Sequence, residues 1–525
     1  METGLQTAYD QVLYPSISFP QTHPGRLATV AFLRGMRPAP IDRCRVLELG
    51  CGAGRNLIPM AFYLPDSEFV GLDLACHPID WGRAFVADLG LRNITLLPMD
   101  LCQATETQFG KFDFIIAHGV YSWVPQPVRE RLLGVCREML NPQGVAYVSY
   151  NAYPGNHFRD LVRGMMRFQA SCFETPAEKI GQARGLLKFI SESRVESDYY
   201  VEAIRAEFDR TVGYPDAGFF HDDLSDVNVS FYFHDFIRDA GRHGLQFVGE
   251  ASPYELNLAK FTPEVKKVLT ALEATSEIVR EQFKDFLSAC GFRQNLLCHQ
   301  EIKLAPDLLL ERVAELYALC DAIPVESPGS AGETAVVFQC AGGDEIESKH
   351  PLVGAALTFL CAQYPCFVSF ARLLEVARSE LGRKSPASSE CDESEVLADA
   401  LMRAHRSGSL RLSVFPAAVT NRVSNRPATS ELARSELQRS DYATSPLHIS
   451  RRFADPLSRQ LILLLDGTRD LELVAHDLIQ IVQSSDTPVY ENGAPVEGSD
   501  AIAAAVAKHL REGLQSLARA GMLVR

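Results

Sequence analysis

The sequence predicts an α/β fold, in which a doubly wound, mainly parallel sheet carries a helical insertion and is followed by mainly α winged-helix-like modules. Short apolar segments alternate with helical stretches about every 20 to 30 residues through the first third of the chain. A glycine-rich turn over residues 50–54 follows the first apolar segment, and acidic residues close the next two. Ligands bind beyond the carboxyl ends of parallel strands, so these features fall where a ligand site is expected.

The composition limits the classes of function. Lysine and arginine total 51 against 66 acidic residues, a net charge of −15, so nucleic acid is a poor partner and a cationic substrate is easier to accommodate. The 13 cysteines contain no Cys-x-x-Cys pair, which is typical of thiols in a reducing cytosol. The first residues lack a signal-peptide pattern, and no apolar run reaches the roughly 18 residues of a membrane span. We therefore expect a cytoplasmic protein without membrane insertion.

The N-terminal third is predicted to contain an arm and the core of the sheet. Residues 1–40 form the arm and one helix, because prolines interrupt the chain as far as Pro24 and helical spacing follows. In this arm, Tyr9 or Tyr14 is expected either to close over a bound ligand or to pack within a lid of aromatic side chains. Residues 41–155 form the core. Its strands are predicted at 45–49, 68–73, 94–100, 112–117 and 145–150, and its helices near 55–63 and 128–140.

The middle of the chain is predicted to be a helical insertion or regulatory region over residues 156–325. It also contains the last strands of the sheet, at 245–250 and 292–299, because each is a short apolar run between helical stretches. A helical insertion among the final strands of the sheet explains this order.

The C-terminal part is predicted to form two winged-helix-like modules. A connection rich in Ser, Pro and Gly at 326–332 precedes them. The modules span 345–418 and 445–525, and both consist of helices followed by a short strand. The usual partner of a winged helix is DNA, but the first module has no basic stripe, so protein recognition or formation of a homodimer is expected instead.

The turn after the first strand indicates a cationic ligand. A phosphate loop for nucleoside triphosphates requires Lys and Ser/Thr after the last glycine, whereas Arg55 and Asn56 follow here. The dinucleotide pattern Gly-x-Gly-x-x-Gly is also absent, because the glycines stand at positions 50, 52 and 54. Glu48 precedes them and would repel a pyrophosphate but attract a cation. S-adenosylmethionine combines an ammonium, a sulfonium and a ribose without phosphate, and we predict it to be the cofactor.

Acids at the ends of the next two strands fit the same ligand. Asp73 could accept hydrogen bonds from ribose hydroxyls, and Asp100 from the adenine amine, with Leu101 beside it. The alternative for each acid is a solvated carboxylate at a strand end. The predicted cofactor-binding residues are Tyr14, Glu48, Gly50, Cys51, Gly52, Asn56, Asp73, Leu74, Asp100, Leu101, His118 and Gly119.

The pattern Glu-x-Gly-x-Gly-x-Gly at 48–54, with Asp73 and Asp100, resembles the cofactor site of class I S-adenosylmethionine-dependent methyltransferases, whose sheet is Rossmann-like. Further segments resemble bacterial methyltransferases with a methyltransferase regulatory domain, a group that includes the rickettsial outer-membrane-protein lysine methyltransferases. They are Thr-His-Pro at 22–24, Val-Leu-Glu-Leu-Gly-Cys-Gly at 46–52, His-Gly-Val-Tyr-Ser-Trp-Val at 118–124, and Tyr-Val-Ser-Tyr-Asn-x-Tyr-Pro-Gly at 147–155. The resemblance implies methyl transfer from S-adenosylmethionine to a protein lysine.

The residues that follow the fourth strand bear on the identity of the methyl acceptor. Methyltransferases that act on base or glutamine nitrogens resemble one another in an Asp/Asn-Pro-Pro-aromatic sequence, whereas this chain has His-Gly-Val-Tyr at 118–121. Tyr121, Trp123, Tyr150 and Tyr153 are predicted to form an aromatic channel that holds an alkylammonium. His118 is predicted to contact the cofactor or to assist deprotonation near neutral pH.

Each of these residues also has a structural interpretation. The aromatic side chains could fill the core beneath a helix, and His118 could be a structural hydrogen-bonding group. His221 and His234 have a spacing that fits no metal ligand set, so no metal site is predicted.

The function predicted from the sequence is therefore S-adenosylmethionine-dependent methylation, with a protein lysine as the acceptor. Two alternatives stay open. One is a small-molecule methyltransferase of natural-product synthesis, and the other is a catalytically silent regulator that senses the cofactor.

Overall fold

A seven-stranded sheet forms the centre of the computed structural model, which describes residues 17–194, 198–252, 261–273, 276–325, 336–340, 342–382, 390–484, 490–491, 494–496 and 498–524. The strands are β1 (Arg45–Leu49), β2 (Glu68–Asp73), β3 (Ile94–Pro98), β4 (Phe112–Ala117), β5 (Leu140–Asn151), β6 (Leu245–Glu250) and β7 (Phe292–His299). Their order is β3-β2-β1-β4-β5-β7-β6, and only β7 is antiparallel to its neighbours. The predicted α/β sheet is confirmed, and a ligand crevice is expected between β1 and β4, where the strand order reverses.

Helices cover both faces of this sheet. Those of the N-terminal third are α1 (Pro24–Leu33), α2 (Leu57–Tyr63), α3 (Cys76–Asp88), α4 (Glu106–Phe109) and α5 (Gln126–Met139). Val46 and Phe114 belong to the core shared with α1, α2 and α3, whereas Leu47 and Ile115 belong to the core shared with α5. Successive strand residues point to opposite faces and both faces are covered, which explains why these strands are apolar throughout.

The predicted helical insertion follows β5. Its helices are α6 (Asn156–Ala170), α7 (Pro176–Ser191), α8 (Tyr199–Val212), α9 (Asp216–Asp223) and α10 (Phe233–Arg242), and β6 and β7 are separated by α11 (Pro263–Glu273) and α12 (Glu277–Ser288). Val162, Leu187 and Phe219 belong to a small core within the insertion. At the start of α7, Thr175 and Glu178 form a reciprocal capping box, which satisfies amides that the first turn leaves free.

Two C-terminal modules follow the sheet. The first module contains β8 (Tyr317–Leu319), β9 (Ile323–Val325), β10 (Val336–Gln339), β11 (Glu345–Ser348), α13 (Pro351–Ala362), β12 (Val368–Ser369), α14 (Phe370–Leu381), α15 (Glu390–Arg406) and β13 (Arg411–Ser413). The second module contains α16 (Glu431–Leu437), β14 (Tyr442–Thr444), β15 (Ser450–Arg452), α17 (Pro456–Leu464), α18 (Leu471–Ser484), β16 (Tyr490–Glu491), β17 (Ala494–Pro495) and α19 (Ser499–Arg519).

Both modules include residues that the sequence grouped elsewhere. Strand β8 pairs with β12 and β13, although its residues fell within the predicted regulatory region. Helix α16 lies in a polar stretch before the predicted start of the second module; Leu432, Ala433 and Leu437 form its buried side, and the rest of the helix is too polar to give an apolar pattern. The predicted flexible connection at 326–332 lies outside the described residues.

The second module packs against the helices of the sheet. The hydroxyl of Tyr63 is 2.7 Å from Ser430 Oγ and donates to the carbonyl of Thr444 at 3.0 Å. Arg439 forms an ion pair with Asp88. None of the helices in the described ranges combines the length and the apolar content needed to cross a membrane.

Candidate active site

The glycine turn between β1 and α2 has a backbone that suits glycine. The φ angles of Gly50, Gly52 and Gly54 are 74°, 53° and 70°, in the left-handed region. A Cβ on Gly50 would lie 2.5 Å from Val120 Cγ2, so this position also lacks space for a side chain. No atom lies within 4 Å of a Cβ built on Gly52. The turn therefore leaves open space beside its backbone, as a ligand site requires.

Glu48 lies just before the turn and has one unsatisfied oxygen. Its side chain accepts a hydrogen bond from Asn56 Nδ2 through Oε1 at 2.7 Å, whereas Oε2 is buried without a partner. Burial and, to a smaller extent, the charge of Asp73 raise the pKa of Glu48 to about 8 against the opposing effect of the Asn56 hydrogen bond. A cationic donor would satisfy the buried oxygen, so this residue fits the ammonium group of the predicted cofactor.

Asp73 joins the end of β2 to the glycine turn. Its Oδ2 accepts the amide hydrogen of Gly52 at 2.7 Å, and its Oδ1 accepts that of Ala75 at 2.8 Å. The neighbouring Leu74 has a side chain that is 55% exposed. Each carboxylate oxygen has a second lone pair, so Asp73 could also accept hydroxyl hydrogens of a ribose.

Asp100 follows β3 and lies at the same edge of the sheet as Asp73, because β2 and β3 are paired and the amide of Met99 donates to the Asp73 carbonyl at 2.8 Å. Oδ1 of Asp100 accepts the amide hydrogen of Cys102 at 2.9 Å and caps a short 3-10 helix that begins at Leu101. This contact fixes the carboxylate, and its other oxygen could accept a hydrogen bond from an adenine amine.

His118 is held at the end of β4 by two residues of β5. Its Nδ1 lies 2.9 Å from the Tyr147 hydroxyl and 3.3 Å from Ser149 Oγ, and Ser149 Oγ accepts the amide hydrogen of Gly119 at 2.9 Å. The ring of Phe19 packs on His118, with 4.0 Å between centroids. Burial lowers the pKa of His118 to about 4, so its ring is neutral at pH 7. Because burial disfavours the charged ring, this environment suits the predicted cofactor contact of His118 better than its predicted part in deprotonation near neutral pH, and both stay predictions.

Tyr121 and Tyr150 lie in the core rather than in an open channel. Their side chains are 2% and 1% exposed, and both rings contact Phe231 and Phe236. The Tyr150 hydroxyl donates to Asn295 Oδ1 at 2.6 Å. Their predicted contact with the acceptor is therefore corrected, since neither ring reaches the surface.

Asn56 contacts both Glu48 in the site and a residue of the second C-terminal module. Its Oδ1 accepts hydrogen bonds from the Phe19 amide at 2.9 Å and from Thr22 Oγ1 at 3.1 Å, and it lies 2.9 Å from His448 Nε2. The Nδ2 atom is thereby directed towards Glu48. His448 was missed by sequence reasoning, because 392 residues separate it from Asn56. Thr22 lay in a motif that carried the family resemblance, which is the signal that could have identified it.

The remaining predicted residues differ in where they lie. The side chain of Cys51 is 6% exposed and belongs to the core, so only its backbone could face a ligand. Trp123 is half-buried in a 3-10 helix after β4. Tyr9 and Tyr14 lie outside the described residues. Within the described ranges, no group of three or more His, Cys, Asp or Glu side chains could hold a metal ion.

Three family models match parts of the chain. A methyltransferase domain matches residues 47–146, a predicted methyltransferase regulatory domain matches 215–299, and the C-terminal winged helix domain of PKMT, the protein lysine methyltransferases, matches 425–522. The first match contains the end of β1, the glycine turn and β2 to β4, and the second contains β6 and β7.

Similar proteins cover more of the chain. Uncharacterized protein RP028 of Rickettsia prowazekii is 37% identical over 234 residues, which are 44% of this chain and 93% of that protein. The structure of PKMT2 from Rickettsia typhi in complex with AdoHcy superposes with a TM-score of 0.86 and 26% identity over 98% of this chain and 100% of that one. The chain belongs to the S-adenosylmethionine-dependent methyltransferases. Uncharacterized protein RP789 of Rickettsia prowazekii is also 37% identical, over 318 residues, but the match spans only 57% of its length.

The cofactor of this methyltransferase is S-adenosylmethionine, which supplies an activated methyl group on a sulfonium when bound. The site described above fits it. Glu48 has a buried oxygen for a cation, the glycine turn has open space at Gly52, and Asp73 and Asp100 present carboxylates at one edge of the sheet. No residue of the turn provides the phosphate-binding lysine that a nucleotide site would need.

Proposed function

We propose that this methyltransferase methylates the side-chain nitrogen of lysine residues in proteins. The observation that carries the proposal is the likeness of the whole chain to PKMT2, which extends over 98% of its length and so includes both C-terminal modules. By contrast, the match to the trans-aconitate 2-methyltransferase of Deinococcus radiodurans covers 25% of this chain. The sequence match to that small-molecule enzyme thus spans a quarter of the chain, whereas the likeness to PKMT2 spans 98% of it.

In this proposal, the buried acids and the glycine turn hold the cofactor. Glu48 accepts a hydrogen bond from its ammonium group, and Asn56 keeps Glu48 in place. Asp73 accepts hydrogen bonds from the ribose, and the exposed side chain of Leu74 covers one face of the adenine, whose amine donates to Asp100. The support is that each of these groups lies at the carboxyl ends of β1 to β3.

The acceptor lysine approaches across an aromatic surface next to His118, which we define as Tyr153, His157, Tyr232, Phe286 and Phe292. Tyr153 and His157 are stacked at 4.0 Å, and Tyr232 lies 5.4 Å from Tyr153 and 6.1 Å from Phe286, all measured between ring centroids. Phe292 is 41% exposed and lies 6.1 Å from the His118 ring.

This aromatic surface suits a lysine side chain. Its rings can pack on the alkyl stem and attract the ammonium group. The Tyr153 hydroxyl donates to Asp160 Oδ2 at 2.6 Å, so a carboxylate lies beside the rings. The channel predicted from the sequence consisted of Tyr121, Trp123, Tyr150 and Tyr153. The proposed surface keeps Tyr153 and omits the buried Tyr121 and Tyr150, while Trp123 stays a predicted contact.

Methyl transfer to lysine requires the amine to lose its proton before its lone pair attacks. The new N–C bond then forms as the S–C bond breaks, and the main contribution of the enzyme is to align the amine in line with that bond. A base with the lowered pKa of His118 takes up a lysine proton poorly at pH 7. His118 is therefore a positioning residue, and the proton is lost to solvent before the amine is aligned.

The location and partners are proposed on more general grounds. The cysteines of the described residues are free, which supports a reducing, cytoplasmic compartment. The net charge of −15 supports a protein substrate with exposed lysines and disfavours nucleic acid. Homodimer formation through the C-terminal modules stays a prediction.

Incubation of the protein with methyl-labelled S-adenosylmethionine and a bacterial cell-envelope fraction tests the proposal. We expect label in acid-precipitable protein, and we expect less of it after replacement of Asp73 by Asn when the cofactor is not saturating. Label confined to small molecules would contradict the proposal and favour the small-molecule alternative. Cofactor binding without any turnover would favour the regulator.

A further inference from the structure

A basic recess lies where the N-terminal helix meets the C-terminal modules. We call it the junction recess and define it by His23 and Arg26 at the start of α1, Arg411 and Ser413 on β13, and Leu447 of the second module. Its space is about 480 Å³ when the solvent at its open mouth is included. The described residues that line it include two arginines and a histidine but no carboxylate, in a chain with a net charge of −15.

Neither guanidinium group in the junction recess forms an ion pair with a carboxylate of the described residues. Nε of Arg26 donates to the Ala251 carbonyl at 2.8 Å, and its other nitrogens have no acceptor in the part of the chain that the structure describes. The side chain of Arg411 likewise has no hydrogen bond or ion pair among the described residues. In contrast, Arg293 in the sheet is surrounded by three acids.

The two arginines also disfavour each other. Burial and, to a smaller extent, the positive charge of Arg411 together lower the pKa of Arg26 to about 10. Burial lowers the pKa of Arg411 as well, against the weaker opposing effects of Tyr364 and Asp321. Like charges held in a shared recess destabilise a protein unless an anion lies between them. Two like charges therefore share the junction recess, with no carboxylate in the part of its lining that the structure describes.

We propose that the junction recess binds an oxyanion of the phosphate class, with Arg26 and Arg411 as its charged ligands. A guanidinium presents parallel N–H donors that match the oxygens of a tetrahedral oxyanion, and two such groups can neutralise a dianion. His23 adds a neutral donor: its Nδ1 accepts the Gly25 amide hydrogen at 3.1 Å, so the neutral ring carries its proton on Nε2.

The position of the junction recess links the oxyanion to the cofactor site. The ring of His23 lies 5.4 Å from that of His448, which is the residue of the second module that contacts Asn56. An oxyanion in the recess would contact α1 and β13 at once and hold the modules against the sheet. We therefore place its effect on the stability of the module arrangement rather than on the chemical step.

Thermal unfolding of the full chain tests the proposal, with inorganic phosphate as the probe against chloride at equal ionic strength. We expect the melting temperature of the wild type to rise to saturation with phosphate. Arg411→Met keeps the apolar stem and should weaken the apparent phosphate affinity at least about tenfold, the effect of one charged hydrogen-bonding group. In chloride alone, the same variant should be at least as stable as the wild type, because it lacks the repulsion with Arg26.

The variant should thus gain less melting temperature from phosphate than the wild type, yet be at least as stable in chloride. This contrast separates ligand binding from a merely structural role of Arg411. The matched control is Arg403→Met, which removes an arginine whose side chain is 73% exposed on α15 and should respond to phosphate as the wild type does. Two further anions are compared with inorganic phosphate: phenyl phosphate, which is an organic phosphate, and glutarate, which is a dicarboxylate without phosphorus. Tighter binding of phenyl phosphate would assign the recess to a phosphate carried by an organic molecule, and tighter binding of inorganic phosphate would assign it to the free ion. Equal responses of Arg411→Met and the wild type, or an equal effect of glutarate, would overturn the proposal.

Discussion

Asp73 both fixes the glycine turn and faces the proposed ribose position, so its replacement tests the cofactor site directly. Asp73→Asn keeps the shape of the side chain but removes the negative charge of the carboxylate, whose two oxygens accept the amide hydrogens of Gly52 and Ala75. We expect S-adenosylmethionine affinity to fall by about 1 to 3 kcal/mol, measured by isothermal titration calorimetry. Asp66→Asn, an exposed acid just before β2, is the control and should leave the affinity unchanged. An unaltered affinity in Asp73→Asn would remove Asp73 from the ribose role.

Glu48 gives a prediction about pH. Burial raises its folded-state pKa from 4.5 to about 8, so the folded protein holds this proton more tightly than the unfolded chain does. The resulting stabilisation is present below about pH 4.5 and is lost as the pH rises through about 8. In the cofactor-free protein, Glu48→Gln should abolish this loss, so the variant gains stability relative to the wild type by up to about 1.4 kcal/mol per pH unit.

Urea unfolding of both proteins across this pH range measures the difference in the free energy of unfolding. Other buried acids, such as Glu250, also have raised pKa values, but they are common to both proteins and cancel in the comparison. A difference that stays constant with pH would mean that Glu48 ionises normally in the folded state.

Single residues differed in how well the sequence predicted them. The placement of Glu48 and Asp73 at the glycine turn could be predicted because it depends on a contiguous strand-turn pattern. Tyr150 could not, because the residues of β5 alternate between faces: Tyr147 and Ser149 contact His118, whereas Tyr150 points into the opposite core. The two-residue period of a strand makes that distinction, but only when the register with β4 is known.

Among the structural elements, the glycine turn is the one whose backbone and packing most clearly require a particular residue type. Gly50→Ala would strain a left-handed backbone and also push a Cβ against Val120, which lies 2.5 Å away. We expect a loss of about 2 to 4 kcal/mol in the free energy of unfolding, the sum of both effects. Gly90→Ala, at φ 64° with no atom within 4 Å of the new Cβ, should cost only the backbone strain of about 1 to 2 kcal/mol. Equal losses in both variants would contradict the close contact.

Strand β7 depends on a buried ion-pair cluster. Arg293 is 5% exposed and contacts Glu250, Glu281 and Asp285. Arg293→Met would leave these acids without their shared cation, and we expect the free energy of unfolding to fall by about 3 to 5 kcal/mol in urea. Arg242→Met, with a side chain that is 69% exposed, should change it by less than about 1 kcal/mol. Comparable losses in the two variants would show that the cluster contributes no more than a surface pair.

The elements of the sheet could be predicted because apolar strands and amphipathic helices have distinct periods. The boundaries of the modules could not. Strand β8 has only three residues and is defined by its pairing with β12 and β13, which are distant in sequence. Local patterns carry no information about such partners. The sequence therefore predicts a later start for the first module than the strand pairing of β8 indicates.

At the scale of the whole molecule, His448 connects the second module to the cofactor site. Its Nε2 lies 2.9 Å from Asn56 Oδ1, and its backbone is left-handed at φ 60°. His448→Asn suits that backbone but shortens the side chain, so Asn56 loses one contact. We expect S-adenosylmethionine affinity to fall about 2- to 10-fold in calorimetry.

The control is His509→Asn in the same module, where the histidine is 3.4 Å from Ser458 and away from the sheet. It should bind the cofactor as the wild type does. An unchanged affinity in His448→Asn would mean that the second module does not influence the cofactor site. Neither this contact nor the junction recess could be predicted from the sequence, because both join residues several hundred positions apart.

We propose that the methyl group reaches a lysine nitrogen of a protein. Acid hydrolysis of the labelled protein fraction, followed by amino-acid analysis, identifies the methylated residue, with the Asp73→Asn variant as a comparison of weakened cofactor binding. We expect the label to co-elute with N-methylated lysine and to be reduced with the variant at a low cofactor concentration. Label released as methanol by mild base, which indicates carboxyl methyl esters, or label recovered in any other amino acid, would contradict it.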